Sequence, residues 1–518
     1  MLSSILQVMP ENMSRVVHIL DAYLKDAGKL DGPVYHSLIA KCLDNNVADE
    51  KSLKSWLDEA LSIGSKHLML FDRARRQADQ RLQQGIWIAA WKDRAPPGKD
   101  CPQLLFGIGR TNFDRKWTAV FNSRKARLVD PHEPWIGALR YWLPKLISGD
   151  SCIASSAGTI SYDLVTAYAL SNHLPILLVT PFPLDRLNAQ SLLNASLKSC
   201  PTYICVTCQT GAVSCSKARR MTCRDRLLAF LADCHWILDI RKDGNLHQIL
   251  QEQHARHPRT LLISRPSSEP AKNSANLTLM ETYPGAIILP APPSHRSAAY
   301  SAVTETTPLT APDTILPNQI EWQQFLYHYT RSCSGPWPGQ SYQEYLVSLL
   351  NNEPHCGHAG LDTLTRILLE ERIRASVKLI RGEQPVVSWT AVPPLQLQEL
   401  RQWNPALTRW TFEPYGLAIR KELVRGSGAK PAIYVPQSDY ESLKPEDRYR
   451  YQRNESPKSL WKHEREWRLP RDFLLNGLSQ QDGFIFVPEV TDARSINEQI
   501  QSPLPFLVLS RIDGFNMV

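Results

Sequence analysis

The sequence predicts an α/β domain built on a parallel sheet, preceded by a helical segment, and a separate C-terminal α+β domain. The chain has 518 residues, enough for two or three domains with cores of their own. Residues 96–265 alternate short apolar runs with helical patterns, as the strands and helices of a parallel sheet do. Residues 266–318 are rich in Pro, Ser, Ala and Thr without a sustained period, which predicts a linker. Residues 319–518, rich in Trp and Tyr, form the second predicted domain.

The composition limits the class of protein. Hydrophobic residues make up 43% of the chain and charged residues 21%, which is typical of a folded globular protein. The formal charge of +8 permits contact with nucleic acid or nucleotides but demands neither. No apolar run approaches the roughly 20 residues that cross a membrane, and the N-terminus lacks the apolar core of a signal peptide. Eleven cysteines without framework spacing indicate reduced thiols, so we predict a cytoplasmic protein without a membrane partner.

The first 95 residues carry helical patterns and no chemistry that we can name. Apolar residues recur at helical spacing from Ser14 to Leu24. Further helices are predicted at 34–43, 51–63 and 72–84, and Gly85 suits the end of the last one. This segment is either a partner-binding module or a cap packed on the domain that follows.

Strands of the predicted parallel sheet are short apolar runs. They lie at 104–109, 151–155, 175–181, 202–207, 236–240 and 260–264. The second run breaks at Ser155-Ser156-Ala157-Gly158-Thr159, before a helical pattern at 161–172. In parallel sheets, backbone amides and helix N-termini at the carboxyl ends of strands can hold phosphate. The small residues of this turn would let a phosphate approach the backbone, and a tight turn that packs helix on strand is the alternative.

This order of a strand, the turn 155–159, a helix and a strand at 174–181 resembles the SLOG superfamily. That superfamily includes DNA-processing protein A and the LOG phosphoribohydrolases. The resemblance implies a Rossmannoid fold that binds a nucleotide. The residues it assigns to nucleotide binding are Gly109, Ser155, Ser156, Gly158, Thr159, Arg224 and Arg241. The catalytic Glu of the LOG signature has no counterpart, since Asp163 is the only acid nearby, so nucleotide sensing fits better than LOG hydrolysis.

Cys205 and Cys208 have the spacing of a zinc-binding pair. A zinc knuckle needs both thiols on a turn, whereas these two lie in a β-like run, where residues three apart face opposite sides. We therefore predict buried cysteines that act as small apolar side chains, and no metal site.

The C-terminal domain is predicted to mix short strands with helices. Helices are expected at 341–351, 360–371 and 394–402, and strands at 386–390, 416–421, 431–436, 459–469, 483–488 and 503–510. This α+β unit of about 200 residues has an ordinary domain size.

Glu464 and Glu466 lie two residues apart in the predicted strand at 459–469. On an extended strand both side chains project from one face, because side chains alternate between the two faces. Paired carboxylates on one face can polarise a sugar hydroxyl or stabilise a sugar cation. The alternative is a solvated strand whose glutamates pair with neighbouring cations. These cations are Lys462, Arg465 and Arg468.

Four groups of residues in this domain resemble the ADP-ribosyltransferases of the toxin and poly-ADP-ribose polymerase superfamily. They are His328-Tyr329-Thr330, Ser388-Trp389-Thr390, Phe412-Glu413-Pro414-Tyr415-Gly416 and Glu464-Arg465-Glu466. More narrowly, the last group looks like that of bacterial domains ending in Glu-x-Glu-Trp-Arg. The resemblance implies that the domain uses NAD.

The resemblance also implies roles for these residues. Glu466 is the essential carboxylate that stabilises the cationic ribose, Glu464 orients an acceptor, and His328 holds a ribose. The other contacts to NAD are assigned to Tyr329, Thr330, Arg331, Ser388, Thr390 and Tyr415. Among these, Tyr415 is a candidate to stack on nicotinamide and Arg331 to meet the pyrophosphate.

A nucleotide-sensing domain joined to an NAD-using effector is the layout of bacterial conflict and phage-defence proteins, an analogy of architecture alone. The effector would transfer ADP-ribose to a protein or nucleic-acid acceptor, or cleave NAD. The alternatives are a non-catalytic protein that binds nucleotides or single-stranded DNA, and N-glycosidic hydrolysis in the SLOG-like domain. The sequence leaves open the acceptor, the second nucleotide ligand and whether the chain forms a homo-oligomer.

Overall fold

The computed structural model describes most of the chain, which divides into two compact units. The described residues are 6–28, 32–45, 47, 49–61, 66–91, 104–110, 115–123, 128–147, 151–184, 203–207, 216–265, 274–293, 312–377, 380–396, 401–404, 409–454 and 463–512. The first unit comprises Met1–Lys125 and His132–Ser294, and the second comprises Ala126–Pro131 and His295–Val518. The division after Ser294 falls inside the predicted linker. No described helix is long and apolar enough to span a membrane.

The first unit is a mixed α/β unit. Its described helices are α1 (Glu11–Ala27), α2 (Gly32–Asp44), α3 (Glu50–Leu61), α4 (Lys66–Gln83), α5 (Pro134–Leu146), α6 (Ile160–Ser171), α7 (Lys217–Leu231), α8 (Asn245–Arg256) and α9 (Asn276–Thr282). Its strands are β1 (Leu6–Val8), β2 (Trp87–Trp91), β3 (Leu104–Gly109), β4 (Lys116–Asn122), β5 (Ser151–Ser156), β6 (Ile176–Val179), β7 (Tyr203–Thr207), β8 (Cys234–Asp239), β9 (Thr260–Ser264) and β10 (Ile287–Leu289). The helices predicted in the first 95 residues correspond to α1–α4.

These strands form one sheet in the order β1-β2-β3-β7-β6-β5-β4-β8-β9-β10. The seven strands from β7 to β10 in this order are all parallel, which confirms the predicted parallel sheet. The chain builds outward from β4 through β5, β6 and β7, and then returns to the other side of β4 at β8. This reversal beside β4 is a topological switch point, the place where open α/β sheets offer a crevice at the carboxyl ends of their strands.

The core of this sheet follows from its apolar strands. Trp117 and Phe121 on β4 are fully buried, as is Ile237 on β8. They belong to one apolar cluster with Leu227 and Leu228 of α7. A strand that is buried on both faces reads as a nearly continuous apolar run. The sequence identified β8 for this reason, but β4, which begins and ends with polar residues, was not predicted.

Two predicted boundaries of the first unit were wrong. The first 95 residues are not only helical, because β1 and β2 pair with each other and β2 pairs with β3 in the large sheet. Residues 274–293 do not act as a linker, because they contain α9 and β10, and β10 pairs in parallel with β9. The linker was predicted from composition, and a three-residue strand beside prolines is too short to show the alternation that would have indicated a strand.

The second unit is an α+β unit. Its described helices are α10 (Tyr342–Asn351), α11 (Gly360–Leu369), α12 (Lys421–Gly426) and α13 (Val490–Gln499). Its strands are β11 (Phe325–Tyr329), β12 (Arg372–Ile373), β13 (Val387–Thr390), β14 (Trp403–Asn404), β15 (Arg409–Trp410), β16 (Gly416–Arg420), β17 (Lys430–Pro431), β18 (Ile433–Val435), β19 (Tyr451–Arg453), β20 (Glu466–Leu469), β21 (Phe473–Leu474), β22 (Gly483–Val487) and β23 (Phe506–Val508). Short 3₁₀ turns lie at Pro317–Gln319, Trp322–Gln324, Pro394–Gln396, Gln437–Tyr440, Pro445–Arg450 and Leu509–Arg511.

Local sequence explains where the first long helix of this unit begins. The Ser341 hydroxyl accepts the N–H of Glu344 at 3.2 Å, and the Glu344 carboxylate accepts the N–H of Ser341 at 2.6 Å. This capping box satisfies two amides that the first turn of α10 would otherwise leave without partners.

The main sheet of the second unit has the order β17-β20-β13-β11-β16-β22-β23. All of its pairs are antiparallel except β22 with β23. One face carries an apolar cluster with α11, α12 and α13, which includes Leu326, Trp389 and Leu417. The other face carries an aromatic cluster that includes Tyr327 and Phe484. We call them the helix face and the aromatic face.

Two predicted elements of the second unit were wrong. The predicted helix at 394–402 is only a 3₁₀ turn over its described first residues, Pro394–Gln396, and Trp403 already belongs to β14. Of the predicted strand at 459–469, the described residues 463–465 lie outside β20, which begins at Glu466, and Arg465 adopts a left-handed backbone with φ 46°. Trp461 and Lys462 lie outside the described residues.

Candidate functional sites

The turn Ser155–Thr159 follows β5 at the carboxyl edge of the parallel sheet and leads into α6. The Ser155 hydroxyl donates to the carbonyl of Tyr162 at 3.0 Å and accepts from Thr166 Oγ1 at 3.0 Å. The Ser156 hydroxyl donates to the carbonyl of Val179 at 2.6 Å. Both serines are buried, so their hydroxyls hold the turn in place and leave the backbone as the group that a ligand can contact.

Gly158 gives this turn its shape. Its φ of +94° lies in the left-handed region that favours glycine. Its N–H donates to Asp163 Oδ1 at 3.2 Å. Thr159 is the N-cap of α6, but its side chain caps no helix amide and instead lies 3.4 Å from Ser161 Oγ. The first turn of α6 therefore presents amides of the kind that bind anions.

Arg224 on α7 braces the same turn. Its Nη1 donates to the carbonyl of Ala157 at 2.9 Å, while Nε and Nη2 both donate to Asp225 Oδ1 at 3.0 and 2.8 Å. Tyr162 donates its hydroxyl to the same carboxylate oxygen at 3.0 Å. Arg224 is buried and paired, so it positions the turn and adds positive charge beneath it.

Sequence analysis missed two residues at the switch point, Asn122 and Asp239, which end β4 and β8. The sheet register pairs them directly, after a bulge at Phe121. Arg241 lies just beyond, exposed, and its N–H donates to the Ser123 hydroxyl at 2.7 Å. One feature of the sequence could have indicated Asp239. It is a polar residue at the end of an apolar run, two residues before Arg241, which was already a candidate for nucleotide binding.

Gly109 was wrongly grouped with the phosphate turn. It ends β3, which runs antiparallel to β7, and its partner in the register is Ile204 near the start of β7. It therefore lies at the amino edge of the parallel strands, opposite Ser155–Thr159. Its φ of +92° and the Tyr203 carbonyl, which a Cβ at this position would meet, explain the glycine by close packing.

Glu466 is fixed from two sides on the sheet of the second unit. Ser388 Oγ donates to its Oε1 at 2.9 Å. Arg468, which is buried, donates to Oε1 at 2.9 Å and to Oε2 at 3.1 Å. The remaining Arg468 donors reach the carbonyls of Tyr449 and Tyr451 and the side-chain oxygen of Gln452. Of the alternative ion pairs predicted for this glutamate, the one with Arg468 is present, and it is buried instead of solvated.

Glu464 has a different environment. The sequence predicted that Glu464 shares one strand face with Glu466. This is wrong, because Glu464 precedes the left-handed Arg465 and lies outside the strand that contains Glu466. Its backbone carbonyl accepts a hydrogen bond from the Thr390 hydroxyl. Burial raises the pKa of the Glu464 carboxyl to about 7, an effect that Arg331 opposes and the charge of Glu466 reinforces. A carboxyl that titrates near neutral pH can accept or donate a proton.

His328 lies on the other face of the sheet from Glu466. The register pairs Tyr327 with Thr390 and Thr390 with Glu466, which puts these three side chains on the aromatic face. The His328 ring contacts Trp389 on the helix face, with ring centroids 5.6 Å apart, and its Nδ1 lies 2.9 Å from the carbonyl of Ser388. Burial lowers the pKa of His328 to about 4. The structure brings Ser388, Thr390 and Glu466 together and does not bring the His328 ring to them.

The other predicted NAD contacts divide between the same two faces. Tyr329 lies in the aromatic cluster, and its hydroxyl donates to the carbonyl of Val392 at 3.1 Å. Thr330 is buried and donates to the carbonyl of Gly360 at 2.8 Å, and Tyr415 packs on the helix-face cluster. The Arg331 guanidinium lies 5.2 Å from the Phe412 ring centre.

Of the two cysteines predicted to be buried apolar side chains, Cys205 is among the described residues. Cys205 on β7 is fully buried, and burial raises the pKa of its thiol to about 12. Cys208 lies outside the described residues. In the part of the chain that the structure describes, no cluster of three or more His, Cys, Asp or Glu could hold a metal ion.

Comparisons with known proteins give little. No family model and no curated protein matches the chain. One similar solved structure is DNA processing protein A from Helicobacter pylori, which is 17% identical over 38% of this chain and 87% of that chain, with a TM-score of 0.28. Another is DNA processing protein A from Streptococcus pneumoniae, 13% identical over 54% of this chain and 89% of that chain, with a TM-score of 0.31. At these scores the likenesses carry no argument about function, which must come from the residues themselves.

Proposed function

We propose that the first unit binds a nucleotide through its phosphate, at the N-terminus of α6. The observation that supports this most directly is the geometry at Gly158. Only Arg224 Nη1, at 3.9 Å, lies within 4 Å of the position that a Cβ would take there, among the described residues. A phosphate can therefore approach the backbone amides of the turn, where the helix dipole favours negative charge.

Cations around this edge support an anionic ligand. Helix α7 follows β7, so its first turn lies at the carboxyl edge of the parallel strands. That turn carries exposed Lys217 and Arg219, and exposed Arg241 and Lys242 follow β8. Exposed cations along the edge where a phosphate would bind raise the local concentration of a phosphate-bearing ligand.

The test is calorimetry with a panel of ribonucleotides against the parent, Gly158→Glu and Gly158→Ala. Both variants place a side chain on the same left-handed backbone, so they share the backbone strain and differ in the longer, charged side chain of Glu. We expect Gly158→Glu to lose binding by at least about 100-fold and Gly158→Ala to lose much less. Equal losses in both variants, or no binding by the parent, would contradict the proposal.

For the second unit we propose chemistry on NAD, with Glu466 as the carboxylate that contacts the nicotinamide ribose. The observation that favours it is the row formed by Ser388, Thr390 and Glu466 on one face of β13 and β20. Cleavage of the nicotinamide bond passes through a cationic ribose, which a fixed carboxylate stabilises more than it stabilises NAD. Glu464, whose carboxyl pKa is raised to about 7 by burial and, to a smaller extent, by the charge of Glu466, would take a proton from an acceptor or from water.

This activity is tested by incubating the full chain with NAD and measuring free nicotinamide, together with transfer of labelled ADP-ribose to protein or nucleic acid. Release without label transfer indicates hydrolysis, and both together indicate a transferase. The combined proposal is a protein that senses one nucleotide and acts on another, as in a defence system. The absence of any nicotinamide release in the presence of every nucleotide that the first unit binds would contradict it.

A binding role without catalysis is the competing proposal. The exposed cations of the carboxyl edge suit a polyanion such as single-stranded DNA as well as a nucleotide. Binding of single-stranded DNA that weakens steeply with salt, without turnover of NAD, would favour this role. N-glycosidic hydrolysis in the first unit is the third proposal, and release of a free base from the bound nucleotide would identify it.

A further inference from the structure

Asn122 is an unusual residue for the interior of the first unit. It ends β4 at the switch point and is 2% exposed. Among the residues that the structure describes, neither its side-chain oxygen nor its side-chain nitrogen has a hydrogen-bond partner. A buried amide without partners destabilises a fold, and such groups in folded proteins call for a specific explanation.

The residues around Asn122 relate it to the phosphate turn. The parallel pairing of β4 with β5 ends at Ala119 and Ala154, so Asn122 and Ala157 each lie three residues beyond it, at the carboxyl ends of neighbouring strands, and Gly158 follows Ala157. On its other side the register pairs Asn122 with Asp239, which is half-buried and accepts from the Ser274 hydroxyl at 3.2 Å. Neighbouring strands are about 4.8 Å apart, so an amide and a carboxylate both lie within one nucleotide's length of the amides of α6.

We propose that Asn122 and Asp239 bind the ribose hydroxyls of a ribonucleotide whose phosphate lies at the N-terminus of α6, an inference that rests on the proposed nucleotide binding. A vicinal diol presents donors and acceptors together. It therefore suits an amide, which offers both, beside a carboxylate, which accepts at several positions. Of the parts of a nucleotide, the ribose is directly joined to the phosphate, so it fits the short separation between Asn122 and Gly158 better than the base does.

The proposal predicts a specific link between binding and stability. Leucine has nearly the shape of asparagine and needs no hydrogen bond. Asn122→Leu should therefore remove the cost of the partnerless amide and raise the melting temperature of the ligand-free chain by about 2–4 °C. The same substitution should remove the contact to the ribose. A residue that is kept for binding at the expense of stability behaves in this way.

The experiment uses the full chain and measures affinity for the four ribonucleoside monophosphates and their 2′-deoxy counterparts, with the melting temperature of each variant. We expect the parent to prefer at least one ribonucleotide over its deoxy form by about tenfold, the value of one hydrogen bond that involves a charged or buried group. Asn122→Leu should lose this preference while it keeps the affinity for the deoxynucleotide, since the phosphate contacts are unchanged. Asn122→Asp, which can only accept, should retain part of the preference.

The outcomes separate this inference from the proposal beneath it. If the parent binds no nucleotide of either kind, the phosphate site itself is wrong. If the parent binds both kinds equally, or if Asn122→Leu keeps the ribose preference, the phosphate site stands and the ribose contact is wrong. A lower melting temperature for Asn122→Leu would show that the amide has a partner within the ligand-free protein, and this would also overturn the inference.

Discussion

The polar groups of the two candidate sites lie in different parts of the two sheets. In the first unit the polar groups gather where parallel strands end, and the side chains of Ser155, Ser156 and Arg224 hold the backbone of one turn. In the second unit they lie on the face of an antiparallel sheet, where Glu466 is held by Ser388 and Arg468. A strand end offers backbone amides, whereas a strand face offers only side chains. Substitutions should therefore affect the first site through shape and charge and the second through individual functional groups.

The largest expected effect concerns the stability of the second unit. Arg468 and Glu466 have side chains that are 3% and 13% exposed. Replacing Arg468 by Met leaves the carboxylate buried without its partner, which should lower the free energy of unfolding by about 3–5 kcal/mol. Denaturant unfolding monitored by fluorescence measures this change.

The matched control is Arg448→Met. Arg448 pairs with Glu441 at 3.0 Å, but these side chains are 33% and 70% exposed. Loss of an exposed pair should cost at most about 1 kcal/mol. Similar costs for the two variants would mean that Glu466 is far more hydrated than its contacts indicate.

The next largest effect separates a catalytic Glu466 from a structural one. Glu466→Gln keeps the shape and removes the charge that would stabilise the ribose cation. Nicotinamide release should fall by about two orders of magnitude or more, while NAD still binds. Circular dichroism and NAD affinity show whether the variant is folded and loaded. A folded variant that turns over NAD as fast as the parent would make this carboxylate structural.

A smaller effect concerns Glu464 and pH. Its pKa is raised from 4.5 to about 7 in the folded chain. Between pH 4.5 and pH 7 the folded chain therefore keeps the Glu464 proton, whereas the unfolded chain has lost it. The contribution of this group to the free energy of unfolding is fully present below pH 4.5 and is lost as the pH rises through 7. Glu464→Gln should gain on the order of 1–3 kcal/mol over the parent between pH 4.5 and pH 8, after allowance for partial exposure.

Unfolding of the parent and Glu464→Gln at both pH values measures this difference. A difference in stability that does not change with pH would show that Glu464 titrates as an exposed carboxyl does. Its role as a proton carrier would then lose its physical basis, while the role of Glu466 would remain.

The smallest effect tests whether both faces of the sheet contribute to an NAD site. His328 contacts Trp389 on the helix face, away from Glu466. We therefore expect His328→Ala to change NAD affinity by less than about threefold and to lower stability by about 1 kcal/mol, the value of its bond to the Ser388 carbonyl. A loss of NAD affinity of tenfold or more would return His328 to the ribose-binding role that the resemblance implies.

The sequence predicted the parallel sheet because β5–β9 are apolar runs between helical patterns, and such periodicity is local. It predicted the turn after β5 for the same reason. It did not predict β4, which lies at the switch point of the sheet. It could not place Gly109, because the direction in which β3 runs depends on its pairing with β7. Composition likewise suggested a linker where Ile287–Leu289 pairs with β9 as an edge strand of only three residues.

The site residues show the same limit. The spacing of Glu464 and Glu466 predicted that they lie on one strand face. The left-handed backbone at Arg465 contradicts this, and no sequence pattern predicts such a conformation for an arginine. Asn122 and Asp239 were missed because a lone polar residue at a strand end is ordinary in sequence. They become notable only when the register places them side by side and the amide is seen to lack partners.

The order of strands in the first unit also bears on how the chain folds. The central strand β4 pairs with β8, whose residues follow it by more than a hundred positions, and the two edges of the sheet, β1 and β10, come from opposite ends of the unit. During synthesis β4 has β5 available early but must wait for β8 before its second side is covered. Sheets dominated by such distant pairings fold slowly and expose unpaired strand edges meanwhile. The switch-point crevice therefore forms only once β8 has been synthesised, so a ligand that binds there acts on a chain in which β4 is covered on both sides.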